Sequence, residues 1–268
     1  MTMLLTLAAG SLRKLVSTTG EGTVSLLDLP SFTITQLQLR GLNVPSSMLA
    51  GWSLADLDKL RDRGDKAGCP CLVLIEDPPL RFADPLIEVR RAAAERVRRL
   101  AVAANRLGCN ALAVRSDAPD TDEALELTAT ELKAVMPGVE RLELNLLLAP
   151  HTGLTDTPDR LTDLMKRIGG FRIGSLPDFA HAAASGHLVE TLRKLAPYAG
   201  AVHASVDGFN RRGTHKSYDL AQGVEAIRGV GFVNTLAINY VGDGDPLTNI
   251  ESARKILQQA IDADERHK

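Results

Sequence analysis

Eight short apolar runs, each followed by a helical segment, recur along the whole chain and leave it very few folds. The runs cover residues 4–8, 39–44, 71–75, 111–114, 142–148, 171–174, 200–204 and 236–240. Continuous apolar runs suit strands covered on both faces, as in a parallel sheet. The segments between them read as helices over 25–37, 53–67, 84–107, 121–135, 158–168, 187–195, 219–227 and 249–263. Ser53 with Asp56 three residues later is a capping-box start, and Gly68, Gly108, Pro137-Gly138 and Gly169-Gly170 are stop signals before the next strand. The first connection is the least regular, with Gly20 and Gly22 in it and Pro30 inside its helix. This order predicts an α/β protein with a (β/α)8 TIM-barrel architecture. Such a barrel needs roughly 250 residues, so the 268 present are expected to form one domain, with a charged tail from about 264. A doubly wound open sheet gives the same alternation but favours a glycine-rich phosphate loop after its first strand. Ala9-Gly10-Ser11 is too poor in glycine for that, and no nucleotide cofactor is expected.

The formal net charge of −2 gives no long-range attraction to nucleic acid. The basic run Arg90, Arg91, Arg96, Arg98 and Arg99 is interleaved with Glu88 and Glu95 and reads as a solvated helix face. Residues 3–9 are too short an apolar stretch to span a bilayer and lack the basic start of a secretion signal. With Cys69, Cys71 and Cys109 as the only cysteines, reduced buried thiols and a cytoplasmic location are expected.

In a barrel of this kind the active site forms at the C-terminal ends of the strands. The polar residues there are Glu76-Asp77, Arg115-Ser116-Asp117, His151, Asp178 with His181, His203 with Asp207, Asn239-Tyr240, and His215 before the seventh helix. Four of the six histidines fall in these loop zones, which points to a polar pocket. Arg115 is either an anion anchor or an ion-pair partner of Asp117 or Glu76. Trp52 either walls the pocket or packs over the rim. Gly242-Asp243-Gly244-Asp245-Pro246 lacks calcium-loop spacing and reads as a turn into the last helix.

The stretches "LLLAPH", "IGSLPDFAH", "AVHASVDGF" and "LAINYVGDGDP" resemble the second half of the xylose isomerase-like barrels, the sugar phosphate isomerase/epimerase superfamily. The first half follows only in outline. Single-metal members usually bind their ion with Glu, Asp, His and Glu from strands five to eight. The resemblance puts Asp178 and His203 at the middle two positions, and Ala149 and Asn239 where the glutamates would stand. It implies one divalent cation (Mn, Mg or Zn) on Asp178 and His203, with His181 as a further ligand. It also implies an enzyme that moves a proton next to the carbonyl of a sugar or keto-sugar. Asp178, His203, Glu76 and His151 are then the catalytic candidates, and Arg115, His181, His215, Asn239 and Trp52 the substrate-binding ones. A C–O lyase or hydratase on a keto-glycoside would use the same parts. The missing glutamates keep another expectation open: a barrel without catalysis, serving as a ligand-binding or accessory subunit. The resemblance is compatible with a homo-oligomer, and the non-catalytic reading with a heteromeric subunit; the sequence does not fix the oligomeric state.

Overall fold

The computed structural model describes residues 3–17 and 23–263. Gly20, Gly22 and the tail from 264, with His267, lie outside the described residues. Eight strands form the main sheet: β1 Leu4–Ala8, β2 Leu42–Pro45, β3 Cys71–Ile75, β4 Ala111–Val114, β5 Asn145–Leu148, β6 Ile173–Ser175, β7 Ala201–Val206 and β8 Thr235–Tyr240. Every pairing is parallel, in the order β6-β5-β4-β3-β2-β1-β8-β7. The ring closes between β6 and β7 through two single bridges, Ser175 to Ala199 and Asp178 to His203. There the Gly200 N–H donates to the Ser175 carbonyl at 3.1 Å and the His203 N–H to the Pro177 carbonyl at 2.9 Å. The Leu147 side chain lies over this seam. A Cβ on Gly200 would meet it at 2.7 Å, and one on Gly174 would meet the Tyr198 carbonyl at 2.7 Å. At Gly174, where the neighbour is backbone, only glycine permits that approach.

The helices are α1 Leu29–Phe32, α2 Leu54–Ala67, α3 Ile87–Arg106, α4 Asp122–Arg141, α5 Pro158–Ile168, α6 Phe179–Ala184, α7 Leu188–Leu195, α8 Leu220–Arg228 and α9 Pro246–Asp262. The Ser53/Asp56 capping box is present, and Gly68 ends α2 at φ 69°. Three helices depart from the sequence pattern. Pro30 opens the first turn of α1 rather than interrupting it, where its missing N–H costs nothing. Pro137 does not end α4, which continues to Arg141; burial of Met136 and Val139 holds the extra turn against the core. α6 is an additional helix outside that pattern, and Asp178 is its N-cap. The glycine-aspartate segment after β8 is the expected turn, with Asp245 capping α9.

The core has two compartments. One joins outward strand residues such as Leu74, Leu112, Leu146 and Val202 to the helices. The other holds Val73, Ile75, Ala111, Ala113, Leu147, Ala149, Leu176 and Ala201, with no helix residue among them, and fills the inside of the ring. No helix of the described residues is long and apolar enough to cross a membrane.

Candidate functional site

Side chains alternate between the two faces of a strand, so the interior cluster fixes which residues point into the barrel. Continuing Val73 and Ile75 carries Asp77 inward and Glu76 outward. Ala111 and Ala113 lead to Arg115, Leu147 to Ala149, and Ala201 to His203 and Ser205. On β2 and β8 the outward partners Leu42, Val44, Leu236 and Ile238 leave Asn43 and Asn239 inside. Asn43, Asp77, Arg115, His203 and Asn239 line a cavity of about 300 Å3 at the C-terminal mouth, with Arg13, Tyr240 and the backbone at Gly10.

His203 is buried, 6% exposed. Its Nε2 lies 3.1 Å from Asn43 Nδ2, so the amide donates to the ring's lone pair. Burial pushes its pKa down to about 4, against the pull of the Asp178 carboxylate and with a push from the Arg115 charge. The imidazole is therefore neutral at pH 7.

Asp178 faces this histidine across the seam, but its carboxylate is already engaged. Oδ1 accepts from the N–H groups of Ala180 at 2.7 Å and His181 at 3.3 Å, and Oδ2 accepts from the Ser205 hydroxyl. Ser205 in turn accepts from Asn239 Nδ2 at 2.8 Å. A relay Asn239–Ser205–Asp178 thus runs from the cavity wall to the start of α6. The Tyr218 hydroxyl donates to the Ser205 carbonyl, and burial, with Asp178 and Asp207 nearby, holds that phenol far above its usual range.

The charged wall is built by Asp77, Arg13 and Arg115. Asp77 Oδ2 accepts from the Ser47 N–H at 3.0 Å, and Oδ1 lies 3.8 Å from Arg13 Nη2. Arg115 pairs with neither Asp117 nor Glu76; its Nη1 donates to the Asp77 carbonyl at 3.3 Å.

Other sequence candidates lie elsewhere. Glu76 is buried behind the sheet, where Arg96 grips it at 2.8 and 2.9 Å and the Ser46 hydroxyl donates at 2.5 Å. His181 turns away from Asp178 to the Asp156 carbonyl at 2.8 Å and lines a separate outer groove with His187 and Lys194. His215 is enclosed between Phe209 and Tyr218, bonded to the Tyr218 carbonyl at 3.0 Å and paired with Asp207 at 2.9 Å. It braces the loop after β7. The His151 carbonyl accepts from Thr155, and Trp52 packs on the main core; neither lines the cavity. Asn43, Ser205 and Arg13 are site residues outside the sequence candidates, and Asp77 stands among the strand-end residues without an assigned role. Asn43 and Ser205 carry a signal: each is a polar residue at an inward position of a buried strand.

A divalent cation finds poor terms here. Such ions favour carboxylate oxygens, and Ala149 and Asn239 provide none. Both Asp178 oxygens and the His203 Nε2 lone pair are committed within the protein, and a guanidinium lines the same wall. Among the described residues no three His, Cys, Asp or Glu side chains converge to hold a metal. The residues present do not fit the implied cation.

No curated protein matches the chain. Solved structures resemble it over nearly their whole length at low identity. An L-ribulose 3-epimerase superposes with a TM-score of 0.83 at 15% identity, covering 100% of this chain and 97% of its own. A 3-keto-D-glucoside 4-epimerase from E. coli, in its apo form, gives 0.76 at 13%, covering 96% and 99%. The IolI protein with a bound zinc atom gives 0.75 at 13%, covering 97% and 99%. At these identities the likeness speaks for the fold. The xylose isomerase-like TIM barrel family model matches residues 34–263, and the chain belongs to that family.

Proposed function

We propose that the barrel mouth binds a small carbohydrate-like molecule and moves a proton next to its carbonyl, as a sugar or keto-sugar isomerase or epimerase. One observation carries this reading: an imidazole, two amides, a carboxylate and two guanidiniums from separate β/α units meet around one cavity of about 300 Å3. Proton transfer beside a carbonyl needs a base and a group that steadies the enolate oxygen. Asp77 is the candidate base, His203 takes that role where a ligand draws the Asn43 amide off its Nε2, and the Asn43 and Asn239 amides with Arg115 are the candidate oxygen partners. Asp178 acts on the site through Ser205, as a positioning residue. The epimerases among the structural neighbours support the same chemistry.

The test is proton exchange. The protein is incubated with ketoses and 3-keto-glucosides in D2O, with and without EDTA, and proton NMR follows deuterium entering at the carbon beside the carbonyl. Incorporation that His203→Gln abolishes is the expected result. No binding and no exchange across the panel would refute the proposal. Binding without exchange would select the second reading, a ligand-binding or accessory subunit. That reading is favoured by the Asp178 carboxylate being spent on bonds within the protein. Elimination products in the same spectra would identify a C–O lyase.

A further inference from the structure

We propose that the Arg115 guanidinium supplies the positive charge of this cavity, and that the site selects a polyhydroxylated anion through a carboxylate or phosphate group. This rests on the mouth being a carbohydrate site and narrows its ligand. A guanidinium carries five N–H donors in a planar fork. Among the described residues, Arg115 uses its fork for one weak bond, Nη1 to the Asp77 carbonyl at 3.3 Å, and pairs with no carboxylate. It is partly buried on the cavity wall, so its unused donors are poorly served by bulk water and open toward the cavity.

The nearby carboxylates do not answer this charge. Asp77 is held by the Ser47 N–H and by Arg13. Asp178 is satisfied by the Ser205 hydroxyl and two amides at the start of α6. His203 adds no charge at neutral pH. The cavity wall therefore has two guanidiniums against one carboxylate, with Asp178 behind Ser205. The fork of an arginine matches a carboxylate or phosphate bidentately. Asn43, whose Oδ1 has no hydrogen-bond partner among the described residues, and Asn239 are placed to meet hydroxyls. Where a cation would polarise a neutral sugar, this wall offers a fixed charge that rewards an anionic one.

The experiment is calorimetric titration of the full chain in EDTA with D-fructose, 2-keto-D-gluconate and D-fructose 6-phosphate. At least one of the two anions is expected to bind tenfold or more tightly than fructose, and the stronger arm tells carboxylate from phosphate. Arg115→Met keeps the aliphatic stem and should remove the anion's advantage over fructose, about 10- to 100-fold. Arg115→Lys should restore only part of it, and it answers the question if the methionine variant does not fold. Anions that bind no better than fructose, a preference that survives both variants, or anion binding that needs added Mn2+ would overturn this inference and leave the carbohydrate site standing. If none of the three sugars binds, the carbohydrate reading falls and this inference with it.

Discussion

Glu76→Gln separates a structural carboxylate from a catalytic one. The side chain is 4% exposed, and Arg96 and Ser46 supply its three hydrogen bonds. Breaking a buried ion pair costs roughly 3–5 kcal/mol when the remaining charge stays buried. Here the remaining charge is Arg96, whose side chain is 44% exposed, so water recovers part of the loss. The glutamine also keeps an acceptor for one partner. The expected cost is therefore about 2 kcal/mol. For a chain of this size that lowers Tm by roughly 4–8 °C. Thermal unfolding followed by circular dichroism measures it, and a double-mutant cycle with Arg96→Met isolates the pair. Sugar binding and proton exchange should be unchanged at 20 °C. An unchanged Tm together with lost exchange would refute the outward placement of Glu76 and return it to the chemistry.

Two further predictions concern the cavity. His203 has its folded pKa lowered from 6.5 to about 4, so the neutral ring favours the fold. Its contribution is complete above pH 6.5 and is lost as pH falls from 6.5 toward 4, on the order of 3 kcal/mol in total. Urea unfolding at pH 7.5 and 4.5 should show a smaller drop for His203→Asn than for the unaltered chain; equal drops would contradict the burial argument. Replacing both Ala149 and Asn239 by Glu adds the two carboxylates that a divalent cation lacks here. Calorimetry should then detect Mn2+ binding at least tenfold tighter than in the parent, and a folded double variant with no gain would show that these positions are not the vacated ligand sites.

The alternation of apolar runs and helices was enough to read the barrel, because strand burial and helix punctuation are local properties. The site was harder, since facing is a matter of parity. In "CLVLIEDP" the strand ends in two acids, and only the inward position of Val73 and Ile75 decides that Asp77 enters the cavity while Glu76 meets α3. The histidines were plausible as a group because loops gather at the mouth. Yet His181 and His215 spend their ring nitrogens on the Asp156 and Tyr218 carbonyls, partners set by how the loops after β5 and β7 fold. Asp178 carried a legible hint, an aspartate two residues before an alanine-rich stretch, that it would cap a helix. Arg13 lies inside the irregular first connection, where no periodic pattern pointed to the cavity.

The two bridges that join β6 to β7 make the ring a bracelet with one clasp. Seven junctions are stitched by ladders, that of β2 with β3 shifted in register at Leu42, and the eighth is fastened beside Asp178 and His203. Local opening takes the route with the fewest fastenings, so backbone amides along this clasp should exchange with solvent before those of β8, which is laddered on both sides. A guest that touches both edges would then do more than occupy the mouth: it would hold the clasp shut and stiffen the whole ring.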